Sequence, residues 1–150
     1  MKKLLVVNGP NLNRLGLREP EIYGRVTLAE LEQSIIDIGK EHEFEITCRQ
    51  SNHEGDIIDW IHKAQDENVN GIILNPAAFT HYSYAIRDAI ASIDVPVIEV
   101  HISNVHKREE FRHTSVTAPV TTGQIVGFGL SGYKLAVLAF KERGKQDESN

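Results

Sequence analysis

Short apolar runs recur along this chain at Leu4–Val7, Phe44–Gln50, Gly71–Leu74 and Val97–His101, and the intervals between them carry apolar residues at helical spacing. That alternation constrains the fold more than any other feature. A strand followed by a helix and then another strand implies right-handed crossovers and a parallel sheet. Continuous runs such as Leu4–Val7 suit strands buried on both faces.

Local signals support the pattern. Thr27-Leu28-Ala29-Glu30 reads as a capping box opening a helix, with Leu28, Leu31, Ile35 and Ile38 on its apolar face. Ser51 with Glu54 reads as a second capping box, ahead of Ile57, Ile58, Ile61 and Ala64. Thr80–Ile93 reads as a helix, and Ser103 or Asn104 as the cap of a short one through Phe111. Ser115–Ala118 is a weak fifth strand, and Gln124–Glu142 the last helix. Five strands favour an α/β fold of the flavodoxin-like kind: a doubly wound five-stranded parallel sheet, order 2-1-3-4-5. The 150 residues suit one core. The expected organisation is a single catalytic domain over residues 1–143 and an irregular polar tail over 144–150.

Composition narrows the partners. The net charge is −5 with the signs interspersed, against the basic footprint of a nucleic-acid binder. No apolar run approaches the roughly 18–20 residues of a membrane span. Met1-Lys2-Lys3-Leu4 leads into too short an apolar run for a secretory signal. The single Cys48 has no disulfide partner within the chain, so a reducing cytoplasm is the expected location. Cys48 itself reads as core.

In such sheets, ligands bind beyond the carboxyl ends of the strands. There the chain places the long segment Asn8–Gly24, then Ser51-Asn52-His53-Glu54, then Asn75–His81, then Glu99, His101 and Ser103. Loops as long as the first are uncommon in compact domains unless they serve as lids or binding loops. Glu99 and His101, two apart on a strand, leave the same face. A carboxylate beside an imidazole can fix its tautomer and keep it ready to carry a proton. The plainer reading is a satisfied polar pair at a sheet margin, but an acidic residue in an apolar strand needs a partner. Arg18 and Tyr23 share the opening loop, and a cation beside a phenol favours phenolate, a credible general base. Taken alone, they read more simply as an exposed arginine and a tyrosine packing the loop down.

Other motifs fail. Gly127-Phe128-Gly129-Leu130-Ser131-Gly132 has the letters of a dinucleotide fingerprint, but it falls within the expected last helix, away from the chain's first strand–helix turn. The four-residue spacing of Gly123, Gly127 and Ser131 is read there as close helix packing. There is no phosphate-binding G-x-x-x-x-G-K-[ST] loop, and the histidines lack metal-ligand spacing. No metal and no cofactor are expected.

The opening loop, with Gly-Pro-Asn-Leu, Leu-Gly, Arg-Glu-Pro and Tyr-Gly in order, resembles one family closely when taken with NPAAFTH and EVHISN: type II 3-dehydroquinate dehydratase. The resemblance runs from Lys3 to about Phe140. It implies elimination of water from 3-dehydroquinate to give 3-dehydroshikimate in the shikimate pathway, without a cofactor. Tyr23 would abstract the proton beside the ketone, and Arg18, on a lid, would favour its tyrosinate. Asn11 would hold a water at the enolate. His101, oriented by Glu99, would protonate the departing hydroxyl. Asn75, His81, Arg112 and Asp88 would hold substrate hydroxyls, Asp88 in a neighbouring subunit's site. Ile102 and Ser103 would take the carboxylate. A homododecamer of trimers is implied. Many members have glycine where this chain has Ala77, and an ordinary backbone conformation is expected of the alanine. A non-catalytic module binding a small carboxylate is the alternative, with no use for both Tyr23 and His101.

Overall fold

The computed structural model describes residues 1–149, with side chains described to residue 146. Five parallel strands, β1 (Lys2–Asn8), β2 (Phe44–Gln50), β3 (Gly71–Asn75), β4 (Val97–His101) and β5 (Gly123–Val126), form one sheet in the order 2-1-3-4-5. The helices are α1 (Pro20–Tyr23), α2 (Leu28–Glu41), α3 (Glu54–Asp66), α4 (Tyr84–Ala91) and α5 (Ser131–Ser149). Because side chains alternate across a strand, the sheet has two apolar faces. Leu4, Val6, Ile73 and Val100 pack with Leu31 and Ile35 of α2 and Val137 and Phe140 of α5. Val7, Ile72, Leu74 and Val97 pack with Ile57 and Ile61 of α3 and Ile86 and Ile90 of α4. The sheet is therefore doubly wound, as the alternation of strands and helices requires. No described helix is long and apolar enough to cross a membrane.

The Thr27 capping box forms in full: the hydroxyl accepts from the Glu30 N–H, and the Glu30 carboxylate accepts from the Thr27 N–H. The Ser51–Glu54 box does not. His53 is the N-cap of α3, while the Ser51 hydroxyl accepts from the His53 N–H and donates to Asp56. Glu54 instead accepts from the Ser83 hydroxyl. The helix expected from Thr80 begins at Tyr84, because Ser83 caps it through the Ile86 N–H. Residues Ala77–His81 before it form a 3₁₀ turn. Asn104 caps as expected, but the stretch behind it is two 3₁₀ turns, Val105–Lys107 and Glu110–His113.

The larger correction lies near the C-terminus. Ser115–Ala118 is not the fifth strand; Gly123–Val126 is, and the last helix begins at Ser131 rather than Gln124. Gly127 and Gly129 have φ of 91° and 59° and lie in the turn between β5 and α5, so they pack no helix. The Gly127 N–H donates to the His101 carbonyl at 3.1 Å, and a Cβ at Gly127 would meet Asn104 Cβ at 3.1 Å. The glycine-rich motif therefore does join a strand to a helix, but at the last strand, where it props the end of β4. The last helix continues to Ser149; the tail expected over 144–150 ends in a residue outside those described.

Candidate active site

The segment after β1 is less open than its composition suggests. Leu12 and Leu15 are buried in the core and pin its first half, which includes a 3₁₀ turn at Leu12–Arg14. Pro20, preset for the first position of a helix, starts the single helical turn α1 that ends at Tyr23. The Gly9 N–H donates to the Asn75 carbonyl at 2.8 Å, and a Cβ at Gly9 would lie 2.7 Å from the Pro76 carbonyl oxygen. Only glycine lets the two strand ends meet so closely.

A cleft of about 120 Å³ opens at the carboxyl ends of β1, β3 and β4, beneath this segment. Asn11, Arg18 and Tyr23 line it from the loop; Asn75, His81, His101, Ile102, Ser103 and Arg112 line it from the sheet side. The structure thus gathers nine of the eleven expected site residues around one cleft. Glu99 stands behind His101. Asp88 does not line this cleft; it is exposed on α4.

Glu99 is fully buried and accepts hydrogen bonds from four side chains: His101 Nε2 at 2.7 Å, Thr80 Oγ1 at 3.0 Å, Gln124 Nε2 at 2.6 Å and Thr117 Oγ1. Strand register explains Gln124, which sits directly opposite Glu99 on β5. Burial pushes the Glu99 carboxyl up, but the bond and charge of His101 and the bonds from Thr117 and Gln124 outweigh it. The group lies below the usual carboxylate range. An ionised carboxylate only accepts, so the proton between the pair belongs to His101 Nε2. His101 Nδ1 is thereby left for the cleft.

His81 is arranged differently. Its Nδ1 donates to the Thr114 carbonyl at 2.8 Å, which leaves Nε2 as the acceptor of a neutral ring. Burial, with help from the charges of His101 and Arg112, holds its pKa below the ordinary histidine value against the opposing pull of that bond.

The phenol's nearest cation is one the sequence reading missed. Arg108 Nη1 donates to the Tyr23 hydroxyl oxygen at 2.6 Å and to Ser103 Oγ at 3.3 Å. Its Nε is buried and has no acceptor among the described residues. Arg18 lies with its guanidinium 5.0 Å from the Tyr23 ring centroid and donates to Glu19 at 3.0 Å. Arg18, Arg108 and Arg112 together make the cleft wall cationic in a chain of net charge −5.

A second correction concerns Ala77. Its φ is 51°, the left-handed region, and not the ordinary conformation expected of an alanine. The turn at the end of β3 requires that geometry, and it brings the Ala77 N–H onto Asn75 Oδ1 at 3.0 Å.

A phenol held by a guanidinium and an imidazole backed by a buried carboxylate converge at the switch point of a flavodoxin-like sheet, the kind of groups that proton-transfer enzymes use. Comparison with known proteins narrows this. The family model described as "Dehydroquinase class II" matches residues 2–141. The 3-dehydroquinate dehydratase of Halalkalibacterium halodurans is 66% identical over 146 residues, covering 97% of this chain and 100% of that protein. That of Anoxybacillus flavithermus is 64% identical over 139 residues, 93% of each. The crystal structure of a type II dehydroquinase from Butyrivibrio crossotus superposes with a TM-score of 0.91 at 56% identity, covering 93% of this chain and 97% of that one. The chain belongs to the class II dehydroquinase family.

Proposed function

We infer that this protein eliminates water from 3-dehydroquinate to give 3-dehydroshikimate, as a hydro-lyase of the shikimate pathway. Family membership supports the reaction. The observation that carries the assignment of roles is the placement of Tyr23, bonded to Arg108, and of His101, bonded to Glu99, in the wall of one cleft.

Tyr23 is the base. A hydrogen bond from the Arg108 guanidinium meets its hydroxyl oxygen, and Arg18, close to the ring, brings a second positive charge. The phenolate takes the proton beside the ketone, and the resulting enolate is met by a water held at Asn11. His101 then gives the Nδ1 proton to the departing hydroxyl, which leaves as water, and the carbon–carbon double bond forms. Glu99 stabilises the imidazolium that makes this donation and fixes the ring. Turnover closes when Tyr23 releases its proton and His101 regains one.

Recognition falls to the rest of the cleft. The substrate carboxylate sits at the backbone N–H groups of Ile102 and Ser103, beyond the end of β4, in a wall made cationic by arginine. Asn75, His81 and Arg112 hold hydroxyls. Asp88 reaches a neighbouring subunit's site, in a homododecamer built as a tetramer of trimers. The single Cys48 suits a cytoplasmic enzyme. No cofactor enters these steps.

The test is direct. Purified protein mixed with 3-dehydroquinate should generate the ultraviolet absorbance of a conjugated enone. An unchanged spectrum with folded protein would refute the assignment.

A further inference from the structure

Tyr133 lies at the start of α5 and takes no part in the chemistry above. Its side chain is fully buried and does not line the cleft, yet its hydroxyl bridges two asparagines at the ends of adjacent strands. Asn8 closes β1 and Asn75 closes β3, and the two are register partners. Asn8, Asn75 and Tyr133 are 0%, 3% and 0% exposed, so their polar atoms depend on one another for partners, and Asn8 Nδ2 is left buried without one among the described residues.

The orientation of the Asn75 amide is forced. The Ala77 N–H can only donate, so the Asn75 atom that receives it, at 3.0 Å, is the carbonyl oxygen. Asn75 Nδ2 therefore faces Tyr133 and donates to its hydroxyl at 2.9 Å. The hydroxyl's own proton goes to Asn8 Oδ1 at 2.6 Å. Burial raises the Tyr133 phenol far above its ordinary value, which keeps that proton in place. An amide nitrogen carries two hydrogens. One is committed to Tyr133, and the other is the group Asn75 has left for the cleft.

We infer that Tyr133 is a positioning residue for substrate recognition: alongside the Ala77 N–H on Oδ1, its hydroxyl takes one Nδ2 hydrogen and so holds the Asn75 amide where the other N–H is offered to the ligand. The partner it selects is an acceptor oxygen, a hydroxyl or carbonyl, and an ammonium in that place would be refused. The inference rests on the proposed reaction, in which a substrate hydroxyl lies against Asn75.

The experiment is a double-mutant cycle on steady-state kinetics with 3-dehydroquinate, using the wild type, Tyr133→Phe, Asn75→Ala and the double variant. Tyr133→Phe keeps the ring that fills the core and removes only the hydroxyl. Loss of one well-placed hydrogen bond should raise KM roughly three- to tenfold, with kcat kept within about twofold. In the Asn75→Ala background the same change should move KM by less than about twofold, because its route to the substrate is gone. A merely structural tyrosine would add its effect equally in both backgrounds, and that result, or an unchanged KM in Tyr133→Phe, overturns the inference. Should Tyr133→Phe fail to fold, Asn8→Ala takes its place in the cycle. It removes the acceptor that holds the phenol proton away from Asn75, and the same two patterns decide. A wild type inert toward 3-dehydroquinate would overturn the proposed reaction and this inference together. Additivity on an active enzyme overturns the inference alone.

Discussion

The hydroxyl oxygen of Tyr23 accepts a hydrogen bond of 2.6 Å from Arg108, a residue 85 positions further along the chain. The same guanidinium touches Ser103 at the end of β4 and comes within 3.8 Å of Glu19 on the opening segment. One side chain thus ties the proposed base to the sheet edge that carries the proposed acid.

Arg108→Ala should therefore slow turnover. Hydrogen bonds to charged groups contribute about 1.5–3 kcal/mol, so kcat should fall by roughly ten- to a hundredfold. Arg108→Lys keeps the charge but loses the planar fork whose Nη1 reaches Tyr23 and Ser103 while Nη2 faces Glu19, and should recover only part of the loss. Stopped-time assays at one pH suffice. A wild-type kcat in Arg108→Ala would leave Arg18 as the cation that matters.

Tyr23→Phe removes the proposed base and keeps the ring beside the two guanidiniums. Turnover should drop by about 10²–10⁴-fold, the usual contribution of a general base. Binding of a carboxylate product analogue, followed by calorimetry, should persist, because the groups proposed to hold the carboxylate are elsewhere. Normal turnover would transfer the role of base to another residue, with His101 the first to test.

Four of the five strands were legible because each is an apolar run or a clean alternation, and burial on a sheet face demands such patterns. β5 was not. It is an edge strand of four residues, and Gly123 and Gln124 on it are exposed. Its Gly123, with Gly127 and Ser131 beyond it, falls at a spacing that also fits a helix, so periodicity misled. Glu99 and His101 could be paired from two-residue spacing, since that places both on one face whatever the fold. Arg108 could not be singled out. It sits with Lys107 and Arg112 in a polar stretch whose 3₁₀ turns have no apolar rhythm, and only the folded path brings it to Tyr23. Gln124 was hidden with its strand, since its role comes from register alone.

Glu99 makes the fold sensitive to acid. Its folded-state pKa lies below the ordinary value of 4.5, so the ionised carboxylate stabilises the protein above that pH. The contribution is lost as pH falls from there through the lower folded-state value. Glu99→Gln should cost about 1–3 kcal/mol at pH 7, since donors that faced a carboxylate lose an acceptor. Urea unfolding of both proteins at neutral pH and again near the acid limit should show the gap closing as pH falls. A gap that stayed constant would mean that the charge does not stabilise the fold.

Ala77 offers a test of strain at the same edge. A non-glycine residue in the left-handed region costs roughly 1–2 kcal/mol, and Ala77 has a φ of 51°. Ala77→Gly relieves that cost. Two effects oppose the gain: glycine loses about 0.5–1 kcal/mol more backbone entropy on folding, and the partly buried methyl leaves its contacts with the core. The balance favours glycine by up to about 1 kcal/mol, which in a chain of this size raises Tm by about 2–4 °C. The Ala77 N–H that fixes Asn75 belongs to the backbone, so KM for 3-dehydroquinate should stay within about twofold of the wild type. Differential scanning calorimetry with steady-state kinetics checks both halves. A lower Tm would mean that the methyl's packing outweighs the strain. A raised KM would mean that the alanine, through its restricted backbone, is what holds the Asn75 carbonyl oxygen in place.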